Sequence, residues 1–235
     1  MNALATISAT SVATRRDLRR ASRWLAALLL PIGPAAVAVL RFVLPYSTVD
    51  SSGTIATKVG QDPGSQSLVL WLALLGTLTL VPAVLWVARL TRRHAPRLTA
   101  AAVLLLVPGY LMLGWIAAPD LLLWAGTRAG MDSASLAALY DHSHPAGAVA
   151  DAVFVVGHVV GTVLLGLAMW RSRAVPRWAA AVTMLSQPLH FVAAVIVASH
   201  PLDLVAWGLN AVGFAAAGLA IVRLRDDEWD LPPTT

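Results

Sequence analysis

The sequence predicts an all-α polytopic integral membrane protein, a bundle of six transmembrane helices with both termini in the cytoplasm. Apolar residues make up 58% of the 235 residues and charged residues only 12%, against about 25% in soluble domains. Six apolar segments reach the ~20 residues that a ~30 Å hydrocarbon core requires. The basic residues are concentrated in alternate connections. Together these features are typical of a multi-pass protein of the plasma or bacterial inner membrane.

The six segments are predicted to be helices because backbone groups in lipid must pair within the chain. The first follows an arginine-rich stretch and begins at Trp24, and basic turns separate the second from the third and the fourth from the fifth. The transmembrane domain, 24–222, lies between a basic cytoplasmic tail, 1–23, and an acidic tail, 223–235, both expected to lack fixed structure. The predicted helices are approximately 24–44, 67–90, 98–118, 147–170, 178–199 and 202–222.

The two long outer connections differ in character. Residues 45–66 are polar, with glycines and prolines, and we expect a flexible loop. Residues 119–146 begin with "LLLWAG", which we interpret as a segment re-entering the membrane interface. "DSASLAALYDHSHP" then predicts a short helix at Ser133–Tyr140, since cap-type residues precede helix formers. We expect this connection to cover the outer mouth of helices 4 to 6.

Orientation follows from arginine and lysine placement. Fourteen of the 17 basic residues fall on the side of the two tails and the two basic turns, and only Arg41, Lys58 and Arg128 fall on the other. We interpret the net charge of +5 as a topology signal and as contacts with anionic lipid headgroups at the cytoplasmic arginines. This placement does not indicate a nucleic-acid partner.

Polar residues form one stripe on each of helices 4, 5 and 6. Asp151, His158 and Thr162 share a face of helix 4, because they follow one another at seven and four residues. Thr183, Gln187 and His190 share a face of helix 5, and Asp203 and Asn210 repeat the seven-residue spacing on helix 6. His158, His190 and Asn210 would lie roughly 12–16 Å below the outer end at ~1.5 Å per residue. The stripes therefore predict a polar site near the midplane.

The candidate pocket residues are Asp151, His158, Thr162, Gln187, His190 and Asn210. Several of the polar residues also have a structural interpretation. The carboxylates of Asp151 and Asp203 suit the outward N-termini of their helices. The amides of Gln187 and Asn210 can form hydrogen bonds between helices. Histidines at membrane depth are costly and indicate function, although a histidine bonded between helices is an alternative.

Four hypotheses remain open. The first is a pocket that binds or transports a small molecule, with His158 responding to protons and Asp151 as its charge partner. The second is an accessory subunit whose polar groups only pack helices. The third is a single b-type haem held by His158 and His190. The fourth is an intramembrane enzyme acting on lipid, although no nucleophile or phosphate-loop motif is present. No catalytic residue is assigned, and no metal site either, because the pair His142 and His144 offers no third ligand.

One internal similarity is present. "PRLTAAAVLLLVP" at 96–108 and "PRWAAAVTMLSQP" at 176–188 share their first two residues and their final proline at an offset of 80. Duplication of the hairpin of helices 2 and 3 into that of helices 4 and 5 is one interpretation. A common composition of helices after basic turns is the other.

Overall fold

A computed structural model describes residues 17–230, so 1–16 of the predicted basic tail and 231–235 of the acidic tail lie outside the described residues. Within 17–230 the chain is all-helical. In chain order the elements are α1 (Arg19–Leu29), α2 (Ile32–Val43), α3 (Ser52–Gln61), α4 (Pro63–Thr91), α5 (Pro96–Leu111), α6 (Leu113–Arg128), α7 (Ser133–Asp141), α8 (Ala146–Ser172), α9 (Arg177–Phe191), a π-helical segment (Val192–Ile196), α10 (His200–Arg223) and α11 (Asp226–Trp229).

The predicted fold class is confirmed, because six helical stretches of the described chain are long and apolar enough to cross a membrane. We call them spans 1 to 6. Their bounds are Arg19–Val43, Pro63–Thr91, Pro96–Arg128, Ala146–Ser172, Arg177–Ile196 and His200–Arg223. Most lie within a few residues of the predicted helices. The protein is thus a multi-pass membrane protein.

Span 3 departs most from its predicted bounds. It covers 33 residues as α5 and α6 in tandem, whereas 98–118 was predicted. The segment "LLLWAG" does not re-enter the membrane as a separate element, since it lies inside α6. A helix of this length measures roughly 50 Å at ~1.5 Å per residue, longer than the ~30 Å core, so its end extends beyond the apolar layer.

The outer connections are helical and pack on each other. The prediction of a flexible 45–66 loop is wrong, because α3 occupies Ser52–Gln61, with the Ser51 side chain accepting a bond from the Thr54 amide. The predicted short helix is present as α7, capped by Asp132. However, α7 packs against α3 and α6 and does not cover the outer mouth of spans 4 to 6.

The described part of the acidic tail is also folded, which corrects the expectation for residues 223–230. After α10 the chain turns back, and the α11 residue Trp229 is only 2% exposed. The Arg89 guanidinium lies over the Trp229 ring, 4.6 Å from its centroid, and the indole N–H donates to Ser22 Oγ at 3.2 Å. The tail is therefore attached to the inner ends of spans 1 and 2.

Spans 3 and 5 are interrupted at related points. α5 ends at Leu111 and α9 ends at Phe191, three residues after Pro108 and Pro188 respectively. Beyond Phe191 the π-helical segment and a left-handed residue, Ala198 (φ 53°), turn the chain sharply into α10. This unwound end of span 5 forms one wall of the site described next.

Candidate functional site

His158 lies inside the bundle, as its stripe predicts. It is 1% exposed, and its Nδ1–H donates to the Phe154 carbonyl oxygen at 2.6 Å. Because a carbonyl oxygen only accepts, the proton is on Nδ1 and Nε2 is the free nitrogen. That Nε2 atom is buried and has no hydrogen-bond partner within the described chain. A buried basic nitrogen in this state can accept a proton or a donor from a ligand.

His190 faces His158 from span 5, with ring centroids 5.3 Å apart. Its Nδ1 lies 2.5 Å from Asp203 Oδ1, and Arg41 Nε donates to Asp203 Oδ2 at the same distance of 2.5 Å. The Asp203 carboxylate thus joins α2, the end of span 5 and α10. Its side chain is 1% exposed, against 15% for Arg41 and 11% for His190. The expectation that Asp203 faces headgroups or water is wrong, because the arginine and the histidine neutralise and bury it.

Trp207 completes the group. It is 1% exposed, and its ring centroid lies 6.1 Å from that of His158 and 5.5 Å from that of His190. Trp207 lies one turn below Asp203 on α10 and faces the interior of the bundle. The indole nitrogen has no hydrogen-bond partner within residues 17–230. We call Arg41, His158, His190, Asp203 and Trp207 the buried polar cluster.

The buried polar cluster borders a small cavity of about 10 Å³ on the predicted outer side. Arg41 and Asp203 line this cavity together with Ser47, Thr48 and His200. Thr48 Oγ1 donates to the carbonyl oxygen of Ala194 at 2.7 Å, where the π-helical segment leaves normal helical geometry. The residues that line the cavity therefore come from the start of the α2–α3 connection and from the junction between span 5 and α10.

Deeper in the bundle the predicted pocket residues Thr162, Gln187 and Asn210 are fully buried. Both amide atoms of Gln187 and both of Asn210 lack a hydrogen bond of normal geometry, although the Asn210 carboxamide lies close to the Tyr110 hydroxyl. That hydroxyl is 3.5 Å from Thr162 Oγ1. These side chains carry several unused donors and acceptors below the buried polar cluster.

Asp151 is the predicted pocket residue that lies apart. Its side chain is exposed on the surface of α8. The charge next to the histidines comes from Asp203 and Arg41 and not from Asp151.

A second polar contact lies beneath the outer helices. Tyr46, only 7% exposed, donates from its hydroxyl to Asp120, and the buried Gln66 lies nearby. Burial, reinforced by the Asp120 carboxylate, raises the pKa of the Tyr46 phenol well above its usual range. Tyr46 therefore remains a neutral donor that ties the connection after α2 to α6.

The geometry does not fit a haem held between His158 and His190. A macrocycle would have to lie between the two rings, whose centroids are only 5.3 Å apart and whose planes are inclined at 53°. Residues 17–230 also contain no group of three or more histidine or acidic side chains arranged to hold a metal ion.

The predicted site residues did not include Arg41, Asp203 or Trp207. Arg41 was used only as a topology signal, and the 162 residues between it and Asp203 conceal their contact. Arg41 is a single arginine at the end of an apolar helix, on the side of the membrane with few basic residues. This isolated charge is the signal that could have indicated a buried partner.

Comparison with known proteins gives one match. The model of the family described as a domain of unknown function (DUF4386) matches residues 24–223, which include all of the buried polar cluster. No curated protein and no solved structure matches the chain. Since the family model covers most of the sequence, the chain belongs to the DUF4386 family.

Proposed function

We propose that the protein binds a small polar solute from the outer side, in the buried polar cluster and the cavity above it, as a membrane carrier does. One observation carries the proposal. A continuous series of charged and polar side chains, Arg41, Asp203, His190 and His158, runs from the cavity into the bundle. Polar side chains at membrane depth mark substrate pathways, because without such a role they only cost free energy.

The size and chemistry of the cavity limit the solute. The free space in the cavity is only about 10 Å³, room for about one water molecule, so a solute enters only as the cavity widens, which favours a compact molecule or ion. Arg41 and Asp203 supply a donor and an acceptor at the mouth. The unpartnered Nε2 of His158 supplies a hydrogen-bond acceptor deeper in the bundle.

The inner half of the bundle is closed in this state. Buried apolar side chains from spans 4 and 6, among them Leu165, Met169, Phe214 and Ile221, belong to one continuous core. A carrier would have to separate these residues to release solute inward. We infer that the described conformation is the outward-open one, with both termini in the cytoplasm of the bacterial cell.

Thermal unfolding of the purified protein tests the proposal. A panel of amino acids, monocarboxylates, primary amines and nucleobases would be added at about pH 5.5 and about pH 7.5, on either side of the usual histidine pKa of about 6.5. We expect at least one class to raise the Tm. The shift should disappear in His158→Gln and persist in Asp151→Asn, which alters an exposed residue of the same helix.

Two results would count against the proposal. A panel without any Tm shift would favour the accessory-subunit hypothesis, in which the polar groups only join helices. A shift that survives in His158→Gln would move the binding site elsewhere.

A further inference from the structure

A second cavity lies on the arginine-rich face, at the opposite end of the bundle from the buried polar cluster. It is an open cleft of about 280 Å³ between the α4–α5 turn, the α8–α9 turn and the C-terminal segment. We call it the basic cleft. Its lining is Arg89, Leu90, Arg92, Arg93, His94, Ser172, Arg173, Ala174, Leu224, Glu228 and Trp229.

Two basic turns meet across the basic cleft. Arg92, Arg93 and His94 follow span 2, and Arg173 follows span 4. Arg173 is the C-cap of α8 and has a left-handed backbone, with φ 55°. A non-glycine residue is rarely found there, and such strain often accompanies functional positions. Here it sets the course of the α8–α9 turn that brings Arg173 to the cleft.

These cations are not neutralised by the protein. Within residues 17–230 the side chains of Arg92, Arg93 and Arg173 form no ion pair. The one carboxylate that lines the cleft, Glu228, accepts the backbone amide of Arg225 at 2.8 Å and lies 3.9 Å from its guanidinium. Three guanidinium groups and an imidazole thus surround a space with an excess of positive charge.

The remaining wall is built by the folded C-terminal segment. Arg89 donates to the Trp229 carbonyl oxygen at 2.8 Å, pairs with Asp230 and stacks on the Trp229 ring. Arg89 is therefore used to hold the wall, whereas the other three arginines remain available. Leu90, Ala174 and Leu224 add apolar surface to the same cleft.

We propose that the basic cleft binds a phosphate monoester group. Guanidinium groups match phosphate oxygens with two parallel hydrogen bonds, and several of them around one space suit a doubly charged anion. A volume of about 280 Å³ lies at the lower end of the ~300–1,000 Å³ of small-molecule pockets and suits a compact headgroup or solute. The group belongs either to a phospholipid headgroup, since the cleft lies at the membrane surface, or to a soluble phosphorylated compound. This site is separate from the outer pocket of the proposed function.

The experiment compares two sources of the same chemistry. Purified protein in neutral detergent is titrated with glycerol 3-phosphate, with chloride keeping the ionic strength constant, and thermal unfolding is followed. In parallel, the protein is placed in nanodiscs of phosphatidylcholine with or without phosphatidic acid. The variants are Arg92→Gln and Arg173→Gln in the cleft, with Arg97→Gln and Arg171→Gln as controls, because those exposed arginines neighbour the same turns and do not line the cleft.

We expect one of the two ligands to raise the Tm, and each cleft variant to weaken binding by about tenfold or more, since a hydrogen bond to a charged group is worth that much. The control variants should change it by less than about threefold, as exposed charges contribute little. A response to glycerol 3-phosphate identifies a soluble ligand, and a response to phosphatidic acid alone identifies a lipid. No response to either ligand, or equal losses of affinity in cleft and control variants, would overturn the proposal. That result would not bear on the outer pocket, which this assay does not probe.

Discussion

At the residue scale, the contact between Arg41 and Asp203 is the strongest constraint on the site. A carboxylate taken out of water is stable only if hydrogen bonds and an opposite charge replace its hydration. Asp203 receives both, from Arg41 and from His190. Removing one partner leaves the other charge buried without compensation.

Asp203→Asn should therefore lower the free energy of unfolding by about 3–5 kcal/mol, the usual cost of breaking a buried ion pair. Thermal or denaturant unfolding in detergent measures the change. The double variant Arg41→Gln, Asp203→Asn should recover part of the loss, because no unpaired charge remains.

The pair of Lys58 and Asp50 provides the comparison. Its lysine side chain is 40% exposed and the two groups are 2.8 Å apart, so Asp50→Asn should cost no more than about 1 kcal/mol. Equal losses for Asp203→Asn and Asp50→Asn would show that the buried pair has no special weight.

Of the buried polar cluster, the sequence predicted His158 and His190 as site residues, and it used Arg41 only as a topology signal. His158 and His190 stood out because a histidine is expensive within an apolar helix, and helical spacing gave their faces. Asp203 and Trp207 lie at the helix end, where carboxylates and tryptophans have ordinary explanations in headgroups and dipole. Only the three-dimensional structure shows whether such a helix end is buried or exposed.

At the element scale, the closest helix contact is between α5 and α8. A Cβ atom added to Gly157 would lie 2.6 Å from the Leu105 carbonyl oxygen and 2.8 Å from the Gly109 Cα. The backbones approach so closely that only glycine fits, as at small-residue contacts between membrane helices. This contact also carries His158, the next residue of α8.

Gly157→Ala should separate α5 from α8 and destabilise the protein by about 1–3 kcal/mol, as overpacking does. Thermal unfolding measures this. Gly208→Ala is the matched control, because a Cβ there meets nothing within 4 Å and alanine is the better helix former. The idea fails if both substitutions shift the Tm alike.

The C-terminal segment gives a local prediction. Trp229→Ala removes a buried ring, and the residues around α11 should then detach from spans 1 and 2. Trypsin should cleave faster after Arg223 and Arg225, which are exposed beside this segment, while the Tm of the bundle changes little. Trp178→Ala, at a residue 55% exposed, should leave the cleavage rate as it is. An unchanged rate for Trp229→Ala would mean that the segment is held by other contacts.

The matched interruptions of spans 3 and 5 agree with the internal sequence similarity. Pro108 and Pro188 are 80 residues apart, and each helix ends three residues later. The capping amides of Met112 and Val192 both bond to the carbonyl of the proline and of the residue after it. Tyr110 and His190, at the same offset, both point into the interior.

Not every element was predictable. The six spans follow from composition because lipid imposes one length and one backbone solution. α3 was missed because Gly53 and Gly60 suggested a loop. The sequence did contain two signals for this helix: Ser51 as an N-cap, and the helical spacing of the apolar residues Ile55, Ala56 and Val59. Burial of that apolar face against α7 stabilises the helix by more than the two glycines destabilise it.

At the scale of the whole molecule, the positive-inside rule predicts which face of the bundle lies in the cytoplasm. The chain has no cysteine, so single introduced cysteines report cleanly. Ser133→Cys, in exposed α7, should react with an impermeant thiol reagent added to intact cells. Arg97→Cys, exposed at the start of α5, should react only after the cells are opened. The reverse pattern would invert the orientation and place the buried polar cluster on the cytoplasmic side.

The contact between Arg41 and Asp203 also has a consequence for biogenesis. Arg41 leaves the ribosome 162 residues before its partner, which at ~5–20 residues per second is a delay of roughly 8–30 s. Throughout that interval Arg41 lacks its ion-pair partner. We expect a product truncated before span 6 to keep this unpaired arginine and to be less stable in the membrane for that reason. Chains ending at residue 199 should therefore be degraded faster than full-length chains in a pulse-chase experiment, and Arg41→Leu should slow the loss.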